Sequence, residues 1–267
     1  MDVVPELIEG INAHETSFLY EEIFVRRAYL PDGVSLPPDS VVFDVGANIG
    51  LYSLFVRTVC PAAVVYAFEP LPPVFRKLER NLVAHGVPAR LFPYALSDTE
   101  GEADFVFYPG YTTMSAASSH AATGVDREFV RQRVLAERRD DLGDAADLLD
   151  EMLEYRFREE PYVCRTRRLS DVIAECGVTR IDMLKVDVQR AEADVLRGVD
   201  DDHWPLIRRI ALEVHDEPGT VTEGRLPEVR EYLRERGFAV VPLGDDGPAE
   251  SGRHSLFAHR PDPAAAG

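Results

Sequence analysis

The chain has 267 residues, of which 47 are Asp or Glu and 29 are Lys or Arg, so its formal net charge at pH 7 is -18. This acidity opposes binding to nucleic acid, no apolar run is long enough to span a membrane, and the opening MDVVPELIEG lacks the basic-then-apolar pattern of an export signal. A cytoplasmic chain of one large domain or two small ones is expected. Cys60, Cys164 and Cys176 form no C-x-x-C, so free thiols are expected and a zinc site is not.

Residues 1–40 are expected to cap the first core strand. Phe18, Leu19, Ile23 and Val25 can pack on a sheet, which would leave Tyr20 and Glu22 to face a pocket. Val41, Val42 and Phe43 form an apolar run without alternation, the pattern of a strand buried on both faces of a parallel sheet. Asp44 follows, then Gly46, Asn48 and Gly50, and from Leu51 the apolar residues recur at helical spacing. A glycine turn between a buried strand and a helix lets backbone N–H groups approach a ligand closely. A second strand, 64–68, ends in Glu69-Pro70. An acidic strand end about 20 residues beyond such a turn suits the two hydroxyls of a ribose. The element D-x-G-x-N-x-G resembles the S-adenosylmethionine (SAM) loop of class I methyltransferases more than a dinucleotide loop. Asp44, Gly46, Asn48, Gly50 and Glu69 are therefore the expected cofactor residues, with Tyr20 joining from the cap.

A helix over 72–85 and a third strand over 89–94 come next. Its exit, Ala95, Leu96 and Ser97, is expected beside the adenine. Residues 103–108 alternate as an antiparallel strand that pairs with 162–167. Between them an insertion of about 109–161 is too long for a plain connection. It opens with Thr113 and Met114, expected to touch the acceptor, and continues as a helical stretch over 126–158 that reads as a lid. A helix over 169–175, strands over 181–188 and 210–216 with a helix over 190–197 between them, a helix over 227–236 and two closing strands complete the pattern. The expected fold is α/β: a doubly wound, mostly parallel seven-stranded sheet of the class I (Rossmann-like) kind with a helical lid. It divides into a cap (1–40), a catalytic domain (41–260) and a flexible tail (261–267).

Ligands bind such sheets at the carboxyl ends of the strands. Asp187 ends the fourth strand, and Glu213 and His215, two apart on the fifth, share a face. A hydroxyl is a poor nucleophile until its proton is removed. His215 is the natural base, with Glu213 or Asp187 to orient its ring. The alternatives are that these groups only cap backbone atoms, or that the three bind Mg²⁺ or Mn²⁺. No metal is the reading adopted.

VVFDVGANIGLYSLF, YAFEP, YALSDTEG, RRLSDVI, IDMLKVDVQRAEADVLRGV and WPLIRRIALEVHD together resemble the FkbM-type O-methyltransferases over about residues 15–260. The resemblance implies SAM as methyl donor, S-adenosylhomocysteine as product and a hydroxyl of a polyketide or related natural product as acceptor. It also implies a His and a Glu in deprotonation, which map to His215 and Glu213. The family usually carries Glu where Gln189 stands, which puts a charge role at that position in doubt. A small-molecule acceptor is the expected partner. A β-hydroxyacyl chain on an acyl carrier protein, received by Arg165, Arg167 and Arg168, is one alternative, a sugar hydroxyl another, and a SAM-binding regulator without turnover a third. Homodimerisation stays open.

Overall fold

The computed structural model describes residues 3, 7–137, 145–243 and 252–261. The cap holds helix α1 (Ala13–Tyr20), whose last turn widens into a π-helical turn over Glu21–Val25. The core then alternates β1 (Val41–Val45), α2 (Leu51–Val59), β2 (Val64–Phe68), α3 (Pro72–Ala84) and β3 (Ala89–Phe92). Next come β4 (Ala95–Leu96), β5 (Gly101–Phe107) and β6 (Ala116–Ala117), and the insertion helices α4 (Thr123–Glu137) and α5 (Ala145–Arg156). The chain returns through β7 (Glu160–Arg167), α6 (Leu169–Cys176), β8 (Met183–Val186), α7 (Glu192–Arg197) and β9 (Arg209–His215). It closes with α8 (Arg225–Glu235), β10 (Ala239–Pro242) and β11 (Arg253–His259).

The main sheet has seven strands in the order β10-β11-β9-β8-β1-β2-β3. β1 pairs in parallel with β2 and β8, and β8 with β9, whereas β11 runs against both of its neighbours. Alternate side chains of the buried strands feed two cores. Val42 and Val65 pack with α2, α3 and the cap; Phe43, Val45 and Leu184 pack with α6, α7 and α8 on the other face. Helices on both faces of a mostly parallel sheet make the doubly wound arrangement. The order reverses at β1 and β8, and there the carboxyl ends open a crevice.

Three expectations needed revision. The third strand stops at Phe92, because Ala95–Leu96 leaves the main sheet and pairs with β7. The antiparallel pair foreseen at 103–108 and 162–167 is present as β5 and β7, but it belongs to a second sheet of four strands, β4-β7-β5-β6. The helical stretch expected over 126–158 begins at Thr123 and holds two helices. They enclose a small core of their own, with Tyr108, Tyr111, Met114, Val130, Leu149, Leu153 and Phe157. Residues 138–144 lie outside the described residues, as does all of the expected tail except Pro261.

Candidate active site

A cleft opens at the switch point between β1 and β8. Its wall carries Gly46, Asn48, Glu69, Ala95, Leu96, Thr113, Lys185, Asp187 and Gln189. Gly46 has φ 74, and a Cβ there would come within 1.9 Å of the Asp187 carbonyl oxygen. Only glycine lets the loop run this close to the end of β8. Asn48, at φ 49, takes the left-handed conformation that Asn tolerates best among residues with a side chain. Its amide side chain donates to Thr112 Oγ1 at 3.0 Å, which ties the loop to the insertion.

Glu69 is 6% exposed and borders the cleft. Its Oε2 accepts the Asn48 N–H at 3.1 Å and its Oε1 the Leu71 N–H at 3.0 Å. Burial pushes its carboxyl up to about 7, against the pull of those two amides. Each oxygen keeps a lone pair, so two further hydroxyl donors would relieve a desolvated carboxylate. This donor requirement, and a loop backbone free of side chains at Gly46, fit a nucleoside cofactor.

Lys185 lies on β8 among apolar neighbours and is almost fully buried. Its Nζ donates to the Gly46 carbonyl at 2.7 Å and stands 3.3 Å from Asp44 Oδ1 and 3.4 Å from Asp187 Oδ2. Burial pulls its pKa down, but Asp187 and Asp44 together outweigh this and raise it. Tyr29 Oη donates to Asp187 Oδ2 at 2.8 Å. One cation thus serves two carboxylates, and with Glu69 the fully ionised cleft carries excess negative charge, suited to a cationic ligand.

The expected residues divide by position. Gly46, Asn48, Glu69, Ala95, Leu96, Thr113 and Asp187 border the cleft. Asp44 is an internal brace, fully buried, with Ser53 Oγ donating to its Oδ2 at 2.7 Å. Gly50 caps α2 at φ 91 beneath Leu78. Tyr20 stacks on Phe24 with ring centroids 4.5 Å apart. Ser97 donates to Asp98. Met114 turns toward Arg253, whose Nη2 is 3.2 Å from its sulfur. The arginines suggested for a carrier are engaged by acids in two of three cases: Arg167 pairs with Glu175 and Arg168 with Asp200.

Beyond the cleft, His215 is wholly buried at the end of β9. Its Nδ1 lies 2.5 Å from Glu192 Oε1, and its Nε2, without a hydrogen-bond partner, is 3.4 Å from Glu213 Oε1. The orienting partner on Nδ1 is therefore neither Glu213 nor Asp187, as expected from the sequence, but Glu192 at the first turn of α7. Burial, aided by Arg253, lowers His215 to about 4. Burial raises Glu192 to about 8 against its helix-start amides and Arg225, and burial with Asp187 raises Glu213 to about 7. Two titratable groups 2.5 Å apart lose their protons in linked steps. An ionised Glu192 would accept an N–H from Nδ1 and leave Nε2 its lone pair.

Glu192, Lys185, Gln189 and Asp126 were missed as site residues. A lysine inside an apolar strand, two residues before Asp187, was a readable signal for Lys185. Nothing local marks Asp126, which arrives from the insertion.

Among the described residues no helix is long and apolar enough to cross a membrane, and no group of three or more His, Cys, Asp or Glu is arranged to hold a metal ion. A family model described as "Methyltransferase FkbM domain" matches residues 44–240. The AMB antimetabolite synthetase AmbE of Pseudomonas aeruginosa is 44% identical over 95% of this chain, which spans 12% of that protein's length. The 31-O-demethyl-FK506 methyltransferase FkbM of Streptomyces tacrolimicus is 42% identical over 95% of this chain and 93% of its own. Among solved structures, the methyltransferase FkbM of Methylobacillus flagellatus KT superposes with a TM-score of 0.51 at 10% identity, covering 96% of this chain and 56% of that one. That likeness speaks to fold.

Proposed function

Because the chain belongs to the FkbM methyltransferase family, whose donor is SAM, we propose that it methylates a hydroxyl and that His215 is the general base. The observation that carries this reading is the imidazole itself: Nδ1 is held by Glu192, and among the described residues Nε2 makes no hydrogen bond. A ring fixed through Nδ1, with a second nitrogen that makes no hydrogen bond and has the Glu213 carboxylate 3.4 Å away, is the arrangement a base needs.

Bound SAM supplies an electrophilic methyl group on a sulfonium. The chain does the rest. Glu69 accepts the ribose hydroxyls, Ala95 and Leu96 flank the adenine, and Asp187, held in place by Lys185 and Tyr29, joins Asp44 and Glu69 in a surround of net negative charge for the sulfonium. His215 Nε2 takes the acceptor's proton while Glu192 stabilises the imidazolium through Nδ1. Glu213 stands ready on the Nε2 side to receive or share that proton. Buried surroundings strengthen each of these electrostatic contacts relative to water.

A polyketide or related natural-product hydroxyl is the favoured acceptor, in line with the relative named for 31-O-demethyl-FK506. An acceptor tethered to a carrier is the second reading. It is favoured by the synthetase that contains a comparable segment within a much longer chain. Incubating the protein with trideuteromethyl-labelled SAM and extracts of its native producer, followed by mass spectrometry, tests the function. A labelled O-methyl product supports it. Donor binding with no labelled product from free or carrier-bound pools would point to a regulator.

A further inference from the structure

Asp126 lies on α4 of the insertion and is wholly buried, 64 residues in sequence from its main partner. Arg190 grips it with a fork: Nη2 to Oδ1 at 2.7 Å and Nη1 to Oδ2 at 3.1 Å. Gln189, in the cleft wall, donates to Oδ1 at 3.0 Å, and Arg253 Nη2 is 3.3 Å from the same oxygen. From this carboxylate two chains of contacts run to His215.

The first goes through Arg190, which is itself wholly buried and held at φ 62, in the left-handed region that residues with a side chain rarely occupy. Its Nε donates to Glu217 Oε2 at 2.5 Å, and its carbonyl accepts from Arg225 Nη1. The same Arg225 nitrogen stands 3.6 Å from Glu192 Oε2, and Glu192 holds Nδ1 of His215. The second goes through Arg253, whose Nη1 is 3.7 Å from Glu213 Oε1, the atom facing Nε2. One lid carboxylate thus reaches both partners of the imidazole, one on each side of the ring.

We propose that Asp126 is a positioning residue: seating of the lid helix through Asp126 sets Glu192 and Glu213 around His215, so that the base is competent only with the lid in place. This deepens the function proposed above and rests on it. Such a buried network adds little net stability over an apolar one but fixes the groups it joins relative to one another. Its partial loss misaligns the groups it connects.

The charged groups facing His215 are Glu192 on α7, Glu213 on its own strand, Arg253 on β11, and Arg190, Glu217 and Arg225 in the adjoining loops and at the start of α8. Removing the Asp126 charge leaves Arg190 and Arg253 less neutralised. The carboxylates that flank the ring then ionise at lower pH.

The test uses the full chain saturated with S-adenosylhomocysteine and labelled with ¹⁵N-histidine, with the His215 signals assigned by His215→Gln. Asp126→Asn should change the Nδ1 and Nε2 shifts of His215 and move its coupled titration to lower pH. With an acceptor in hand it should also lower kcat about tenfold. Asp126→Glu, which keeps the charge, should hold the titration near its wild-type position. It also serves as the variant to read if Asp126→Asn does not fold. Arg131→Ala, which breaks the exposed Arg131–Asp150 pair between α4 and α5, should leave the His215 signals unmoved. Unchanged His215 shifts and titration in folded Asp126→Asn would overturn the proposal, and so would a shift in Arg131→Ala as large as that in Asp126→Asn. A wild-type chain that binds no S-adenosylhomocysteine would instead fail the underlying functional reading.

Discussion

Glu192 Oε1 and His215 Nδ1 stand 2.5 Å apart, both side chains shut off from solvent, on the side of the ring away from Glu213. Burial first, and this pairing with it, sets the pH at which the imidazole can accept a proton. While the pair holds two protons, one is available to Nε2. When it holds one, Glu192 draws that proton to Nδ1. Activity should therefore rise with pH through about 7–8, the range to which burial pushes Glu213 and Glu192, and not through the value near 4 of His215. A kcat profile at saturating donor checks this; an acid limb near 4 would count against the coupled pair.

Glu192→Gln removes the acceptor charge but keeps the shape. Its amide N–H can donate to Nδ1, which forces the ring proton onto Nε2 and blocks the base. We expect kcat to fall about 10²-fold or more with affinity for S-adenosylhomocysteine unchanged, because Glu192 does not border the cleft. Equal losses in kcat and affinity would mean that the pair supports the cleft rather than the base.

Glu69→Gln should weaken S-adenosylhomocysteine binding by about tenfold to a hundredfold, the effect of losing hydrogen bonds to a charged acceptor. The same side chain has a stability signature. Its folded value of about 7 lies above the ordinary carboxyl value of 4.5. Its contribution is thus fully present below about 4.5 and is lost as pH rises through about 7. Glu213 and Glu192 act in the same sense, and His215, lowered to about 4, acts in the opposite sense between 6.5 and 4. The denaturation midpoint of the donor-free protein should drop between about pH 5.5 and pH 8, and less steeply in Glu69→Gln; thermal melts across that range decide it.

Lys185→Met would leave Asp44 buried without its cation, with Asp187 also deprived of a partner. Breaking a buried pair from one side costs about 3–5 kcal/mol. Urea titration should show a loss of that size. A change below about 1 kcal/mol would mean that Asp44 and Asp187 are stabilised by Ser53 and Tyr29 alone.

The main sheet was legible because its central strands are buried on both faces and write themselves as apolar runs, and because Gly46 and Gly50 mark a turn few other residues can make. Glu69 and Asp187 were readable for the same reason: each is the polar residue that ends such a run. The second sheet was only half legible, since Ala95–Leu96 and Ala116–Ala117 are two residues each and carry no periodicity. Glu192 reads as an ordinary acidic residue in a first helical turn; only the pairing of β8 with β9 brings it against His215. Asp126 reads as a solvated charge on a mixed helix and becomes a hub only when the insertion folds back. Spacing along the chain reports contacts within an element, whereas these two depend on contacts between elements.

The most direct test of the account is transfer of a trideuteromethyl group from labelled SAM to an acceptor hydroxyl by wild type and by His215→Ala, at about pH 8 and saturating donor. The account predicts that His215→Ala binds S-adenosylhomocysteine as wild type does and transfers the label about 10²–10⁴-fold more slowly. Transfer at the wild-type rate by His215→Ala would contradict it.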